Sequence, residues 1–103
     1  IPNYNVMGVA KAALESSVQY LASDLGQDNI RVNALSPGPI LTRAASGISD
    51  FRGLMKNFRD KSPMRRLVEQ KEVAASALYL LSDLSSMVTG EILHVDGGYH
   101  TQG

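Results

Sequence analysis

The longest hydrophobic pattern in the chain lies near its start and predicts an amphipathic helix over about 5–25. The side chains of one stripe recur at alternating spacings of three and four residues, which is the period of a helix with one inner face: Tyr4, Met7, Lys11, Leu14, Val18, Leu21 and Leu25. A neighbouring line holds small side chains, which would let another helix approach closely: Ala10, Ala13 and Ser17. Asn3 or Asn5 suits the N-cap, and Gly26 suits the C-terminal stop.

Two short strands are predicted further along the chain. The first covers 30–35, where apolar and polar residues alternate, and Ser36-Pro37-Gly38-Pro39 ends it because prolines and glycine do not continue a ladder. The second covers 91–95 and is closed by Asp96-Gly97-Gly98.

The segments between these strands are helical or polar. Residues 40–61 are weakly helical and are interrupted by Gly47 and Gly53, and a loop follows over 62–66. Residues 69–81 form a second strong helix, and residues 82–89 form a polar connector. The inner face predicted for this second helix comprises Val73, Ala77, Leu80 and Leu81.

The alternation of helices and strands predicts an α/β fold with a parallel sheet. Two strands cannot make a stable sheet that is buried on both faces. We therefore expect the chain to be the second half of an α/β domain, with the natural N-terminus upstream of Ile1.

Composition excludes several classes of partner. The chain has 10 basic and 10 acidic residues, so its formal net charge of zero favours neither nucleic acid nor an anionic membrane. It has no cysteine and no apolar run near the roughly 20 residues that span a bilayer, and no signal peptide is visible in these 103 residues. We expect a cytoplasmic protein. We also expect no metal site, because the two histidines, His94 and His100, show no obvious carboxylate spacing.

Lys11 is the first candidate for chemistry, because it interrupts an apolar stripe. A lysine there must reach water or find an acceptor. Tyr4 lies seven residues earlier, about 10 Å along the helix axis, so a phenol and an ammonium could border one cleft. On spacing alone, a tyrosine at a helix start and a lysine that extends to solvent are the preferred interpretation.

The segment 36–42 is the second candidate. It follows a strand, and ligands of open α/β sheets bind beyond the carboxyl ends of strands. Gly38 would allow close backbone approach, and Thr42 offers a hydroxyl. An ordinary rigid turn explains the same residues equally well.

Taken together, these segments resemble the C-terminal half of the short-chain dehydrogenase/reductase family. Residues 31–38 are similar to its penultimate strand and nicotinamide-side loop, and residues 90–98 to its last strand and turn. Most members carry a tyrosine four residues before the lysine, where this chain has Met7. The run Tyr4-Asn5-Val6-Met7-Gly8-Val9-Ala10-Lys11 instead resembles the bacterial enoyl-acyl-carrier-protein reductases, as do 38–51, 82–86 and 97–100. Pro37, Leu41 and Arg43 depart from the commonest residues of that subfamily.

The resemblance implies a Rossmann-type, doubly wound parallel sheet, of which residues 1–103 are the C-terminal part. It implies Tyr4 and Lys11 as the catalytic pair, and a substrate flap over about 40–61. The implied cofactor is NAD, with NADH preferred to NADPH, and the residues that would bind it are Lys11, Ile40, Leu41, Thr42, Arg43 and Ala44. The implied substrate contacts are Tyr4, Met7, Ala44, Ala45, Ile48, Phe51 and Leu54.

By the same resemblance, the reaction is hydride transfer to a trans-2-enoyl thioester carried by acyl carrier protein, in fatty acid biosynthesis. A homotetramer is implied as well. Two alternatives stay open from the sequence. One is a reductase of the same fold that acts on a carbonyl or alcohol, which Pro37 favours and Met7 opposes. The other is a fragment without catalytic activity that acts only in assembly.

Overall fold

The computed structural model describes residues 5–40 and 51–102. In chain order its elements are helix α1 (Asn5–Leu25), strand β1 (Ala34–Pro37), helix α2 (Phe51–Lys61), helix α3 (Gln70–Leu81) and strand β2 (Ile92–Val95). Short 3-10 turns lie at Gly26–Asp28, Asp83–Ser85 and Tyr99–Thr101. The described residues thus have the predicted alternation of helix and strand, and no helix among them is long and apolar enough to cross a membrane.

Helix α1 confirms the prediction for 5–25, but its inner face is narrower than the hydrophobic stripe. Val18 and Ala22 are buried, whereas Leu14 and Leu21 keep 52% and 47% of their surface. The helix ends at Leu25, as Gly26 predicts. The left-handed residue that turns the chain is nevertheless Asn29 (φ 59°), whose N–H donates to the Gly26 carbonyl.

Strands β1 and β2 form a parallel pair, as predicted, with Ala34 opposite Ile92 and Pro37 opposite Val95. The predicted first strand, 30–35, is wrong in position because the observed strand begins later and includes Pro37. The Ala34 N–H donates to the carbonyl of Glu91, the residue before β2, and the Gly38 N–H donates to the Val95 carbonyl. The N–H groups of successive residues in a strand point to opposite sides. At Pro37 the N–H position faces away from β2, so the proline removes no ladder bond.

Side chains ahead of β1 bind the connector that leads into β2. The Arg31 guanidinium donates to the Ser85 hydroxyl at 2.8 Å and to the Ser82 carbonyl at 3.2 Å. The Asn33 amide donates to the Val88 carbonyl at 2.9 Å and accepts the Glu91 N–H at 3.0 Å. The Val32 carbonyl also accepts the Gly90 N–H at 2.8 Å, so both side chains and backbone join the two segments ahead of the regular strand.

Helix α3 confirms the prediction for 69–81 at both ends. Glu69 is the N-cap, and its reciprocal bonds with Glu72 form a capping box. Val73, Ala77 and Leu80 are half-buried, as predicted. Leu81 is 83% exposed, so the prediction that it lies on the inner face is wrong. It follows Leu80 by about 100° around the helix, which turns its side chain outward.

Candidate functional site

A cavity of about 420 Å³ lies where the carboxyl ends of both strands meet the end of α2. This is the edge at which parallel α/β sheets bind ligands. The loop after β1, helix α2, strand β2 and the C-terminal turn all contribute to its walls, which comprise Ser36, Pro37, Gly38, Pro39, Leu54, Asn57, Phe58, His94, Asp96, Tyr99 and His100.

Phe58 joins three of these elements. Its side chain is only 4% exposed, and its ring lies directly over Gly38. A Cβ at Gly38 would overlap that ring, with Cε2 at 3.0 Å and Cε1 at 3.1 Å, so the loop needs glycine here. The ring also stacks on Tyr99 with centroids 4.5 Å apart. Helix α2 is thereby fixed both to the loop after β1 and to the C-terminal turn.

The C-terminal turn packs against the loop that follows α2. The Met64 N–H donates to the Gly97 carbonyl at 3.1 Å. Gly97 and Gly98 have left-handed backbone (φ 62° and 88°), and a Cβ at Gly98 would lie 2.9 Å from Pro63 Cγ. Fully buried Ser62 lies at the same junction. The turn after β2 therefore depends on both its conformation and its close approach to this loop.

His94, Asp96 and His100 form one cluster on the cavity wall. The His100 Nδ1 atom lies 3.0 Å from Asp96 Oδ1, and the His94 Nδ1 atom lies 4.0 Å from Asp96 Oδ2. The two imidazole rings stack at 3.8 Å with 10° between their planes. Asp96 itself is 7% exposed and accepts the backbone N–H groups of Gly98 and His100.

The hydrogen bonds to Asp96 determine its charge state. Burial raises the pKa of its carboxyl. The bonds from the His100 ring and from the N–H groups of Gly98 and His100 outweigh burial and hold that pKa below its ordinary value. Asp96 is therefore a carboxylate at neutral pH.

The described residues include only part of the site predicted from the sequence. Lys11 lies on α1 with an exposed side chain. Ile40 and Phe51 are half-buried, and Leu54 lines the cavity. Met7 belongs to α1, but its side chain lies outside the described set. The remaining predicted site residues also lie outside the described ranges: Tyr4, Leu41, Thr42, Arg43, Ala44, Ala45 and Ile48.

The central parts of this cavity wall are not predicted from the sequence. Phe58 and Tyr99 are not among the predicted site residues, because nothing in the hydrophobic pattern shows that residues so far apart stack on each other. The expectation that the histidines have no nearby carboxylate is wrong, since Asp96 lies between them. The signal was present as His94-x-Asp96-x3-His100, a spacing that becomes compact only because the chain turns at Gly97 and Gly98.

Comparison with known proteins shows the family to which the chain belongs. Residues 1–100 match the family model described as enoyl-(acyl carrier protein) reductase. The chain belongs to that family. The resemblance drawn from Tyr4, Met7 and Lys11 is confirmed, as is the assignment of the chain to part of a Rossmann-type α/β domain.

Individual members of the family are similar over 97–100% of the chain. Enoyl-acyl-carrier-protein reductase (NADH) 1 of Rhizobium meliloti is 66% identical over 103 residues, which are 100% of this chain and 38% of that protein. The NADPH enzyme FabI of Staphylococcus aureus (strain MRSA252) is 59% identical over 97% of this chain and 39% of its own length.

A solved structure shows the same fold. The Bacillus cereus enoyl-acyl carrier protein reductase, determined with NADP+ and an indole naphthyridinone, superposes with a TM-score of 0.92 at 55% identity. It covers 100% of this chain, which covers 40% of that one. The chain thus spans about two fifths of the length of these relatives.

Proposed function

We propose that the chain supplies the C-terminal part of an enoyl-acyl-carrier-protein reductase of fatty acid biosynthesis. The reaction is hydride transfer from a reduced nicotinamide dinucleotide to a trans-2-enoyl thioester. The observation that carries this proposal is the family match over residues 1–100, which includes the Tyr4-x6-Lys11 spacing with Met7 between the pair. A carbonyl reductase of the same fold is disfavoured because Met7 cannot donate a proton.

The cofactor of this proposal is NADH, with NADPH as its alternative. The similar proteins carry both names, NADH in Rhizobium meliloti and NADPH in Staphylococcus aureus. The residues present fit the nicotinamide end of such a cofactor. The carboxyl edge of the sheet holds a cavity with apolar and polar walls. Lys11 is exposed on α1 and is not one of the residues that line this cavity, so its role toward the ribose hydroxyls follows from the family resemblance. When bound, the reduced nicotinamide supplies the hydride.

In this proposal Tyr4 and Lys11 stabilise charge that develops on the substrate. The Tyr4 hydroxyl donates a hydrogen bond to the thioester oxygen, where a fixed donor acts most strongly in the transition state. Lys11 holds the nicotinamide ribose, and its positive charge favours the enolate. Tyr4 or water then supplies the proton to the α-carbon.

The substrate segment of the proposal is the flap over about 40–61, to which α2 belongs. Leu54 on the cavity wall and half-buried Phe51 offer apolar surface to an acyl chain. The NAD-side contacts come from Ile40 to Ala44. Each of these assignments follows from the family resemblance.

We also propose a cytoplasmic homotetramer that acts on substrate delivered by acyl carrier protein. Helix α1 supports a subunit contact through its exposed line of small residues, Ala10, Ala13 and Ser17. Val6 and Val9 are also exposed beside that line, at 83% and 72%. Sedimentation of the complete reductase should give four subunits.

The test uses a joined protein, in which this chain replaces the segment of the Rhizobium meliloti reductase that it matches. A panel of trans-2-enoyl thioesters and ketones is offered with NADH and with NADPH. We expect oxidation of the cofactor with the enoyl thioesters and none above background with ketones. A joined protein that folds and reduces only ketones would overturn the proposal.

A further inference from the structure

We propose that His94, Asp96 and His100 form a binding site for one zinc ion at the end of β2. Two imidazoles and one carboxylate are a ligand set that zinc uses in proteins, with water or a bound molecule in the fourth position. This site uses neither Tyr4 nor Lys11, and it does not depend on the proposed reductase activity.

The spacing of the ligand atoms supports the site. Tetrahedral zinc with bonds of about 2.0–2.1 Å separates its ligand atoms by roughly 3.4 Å. The His100 Nδ1 atom is 3.0 Å from one Asp96 oxygen, and the His94 Nδ1 atom is 4.0 Å from the other. One ligand atom from each residue lies within 4.8 Å of the other two. Small movements of the side chains would therefore bring all three into coordination.

The required movement is a rotation of the imidazole rings. The rings now stack face to face, with both Nδ1 atoms near Asp96. Parallel rings direct their lone pairs side by side, so at least one ring must turn about its Cβ–Cγ bond to share an ion. The histidine side chains are 34% and 43% exposed, which leaves room for that rotation.

The carboxylate is already fixed. Asp96 is buried and accepts N–H groups from Gly98 and His100, which hold its oxygens toward the rings. Such supporting hydrogen bonds orient metal ligands in proteins. The cavity beside the cluster gives an ion a path of entry and space for the fourth ligand. An ion here would link strand β2 to the C-terminal turn.

The composition of the chain makes the test specific, because His94 and His100 are its only histidines and it has no cysteine. Titration of the tag-free 103-residue chain with zinc chloride, followed by calorimetry, should show one equivalent bound. His94→Gln and His100→Gln should each weaken binding by roughly tenfold or more, since losing even a supporting group of a metal site has effects of that size. Glu91→Gln, which changes an exposed carboxylate just before β2, is the matched control and should bind like the unchanged chain.

The same comparison is made in the joined protein, so that poor folding of the isolated chain does not decide the result. There the His94→Gln/His100→Gln double variant should bind one equivalent of zinc fewer than the unchanged protein. Cobalt in place of zinc should give the visible absorption of a tetrahedral site, and the double variant should lose it. Equal zinc binding with and without the two histidines in both proteins would overturn the proposal.

Discussion

Gly38 is a residue of the loop after β1 that lies against the Phe58 ring of helix α2. The Phe58 ring occupies the space that any larger side chain would need. Glycine is required here for close approach, because Gly38 is not among the residues with positive φ. Its contribution to stability should therefore depend on the size of residue 58.

Gly38→Ala should lower the free energy of unfolding by about 1–3 kcal/mol, the usual cost of an added methyl group in a packed site. Urea unfolding followed by circular dichroism measures this change. Gly26→Ala is the matched control, since a Cβ there meets nothing within 4 Å.

A second substitution separates overlap from backbone strain. Phe58→Leu should reduce the cost of Gly38→Ala, because a smaller side chain leaves room for the added methyl group. If Gly38→Ala lowers the free energy of unfolding equally in the protein with Phe58 and in the Phe58→Leu variant, contact with the ring is not the cause of the destabilisation.

The start of helix α3 is held by a small network of charges. The two terminal guanidinium nitrogens of Arg66 each donate to one Glu72 oxygen at 2.8 Å, and the Glu72 carboxylate also accepts the Glu69 N–H. The Arg66 hydrogen bond, with the Glu69 N–H as the next cause, lowers the pKa of Glu72 to about 2. The carboxylate is thus favoured in the folded state.

This shift predicts how stability depends on acid. Because the folded pKa of Glu72 is below its ordinary value of 4.5, its contribution is complete above pH 4.5 and disappears as the pH falls toward 2. Glu72→Gln should therefore be destabilising at neutral pH and should flatten the loss of stability over that acid range. Thermal unfolding between pH 7 and about pH 2 measures it.

Glu15→Gln, on the exposed surface of α1, is the control for that experiment. It should follow the pH profile of the unchanged protein. A Glu72→Gln profile parallel to the unchanged one would contradict the assigned role of the carboxylate.

At the scale of elements, sequence periodicity predicted the helices better than the first strand. Helices α1 and α3 have long repeating patterns, and both lie where those patterns place them. Strand β1 is short, and the alternation over 30–35 does not distinguish pairing from side-chain bonds. Arg31 and Asn33 bind the connector through their side chains, and the regular ladder starts only at Ala34.

Only those residues of the candidate site could be predicted that local spacing or the family resemblance indicates. Lys11 was visible because it interrupts a stripe, and Tyr4 gained meaning from the replacement of the usual tyrosine by Met7. The stack of Phe58 on Tyr99 depends on contacts between distant segments, which no local pattern contains. The cluster around Asp96 depends on two left-handed glycines that fold the chain back.

At the scale of the whole molecule, the chain holds a two-stranded sheet within its described residues and spans about two fifths of its relatives. We expect the isolated chain to bind NADH roughly 10²-fold more weakly than the joined protein, or about 2.7 kcal/mol less favourably. Calorimetry with both proteins measures this difference. Tight binding by the chain alone would show that the remaining part of the domain is dispensable for the cofactor.

Steady-state kinetics of the joined protein with an enoyl thioester and NADH test the proposed roles of Tyr4 and Lys11 most directly. Tyr4→Phe should lower kcat by about 10²-fold, the size of effect seen when one donor to a developing oxyanion is removed. Lys11→Ala should impair turnover and raise the KM for NADH more than Tyr4→Phe does. Tyr20→Phe and Lys71→Ala, at exposed positions, should leave both constants unchanged; unaltered kinetics in the Tyr4 and Lys11 variants as well would contradict the account.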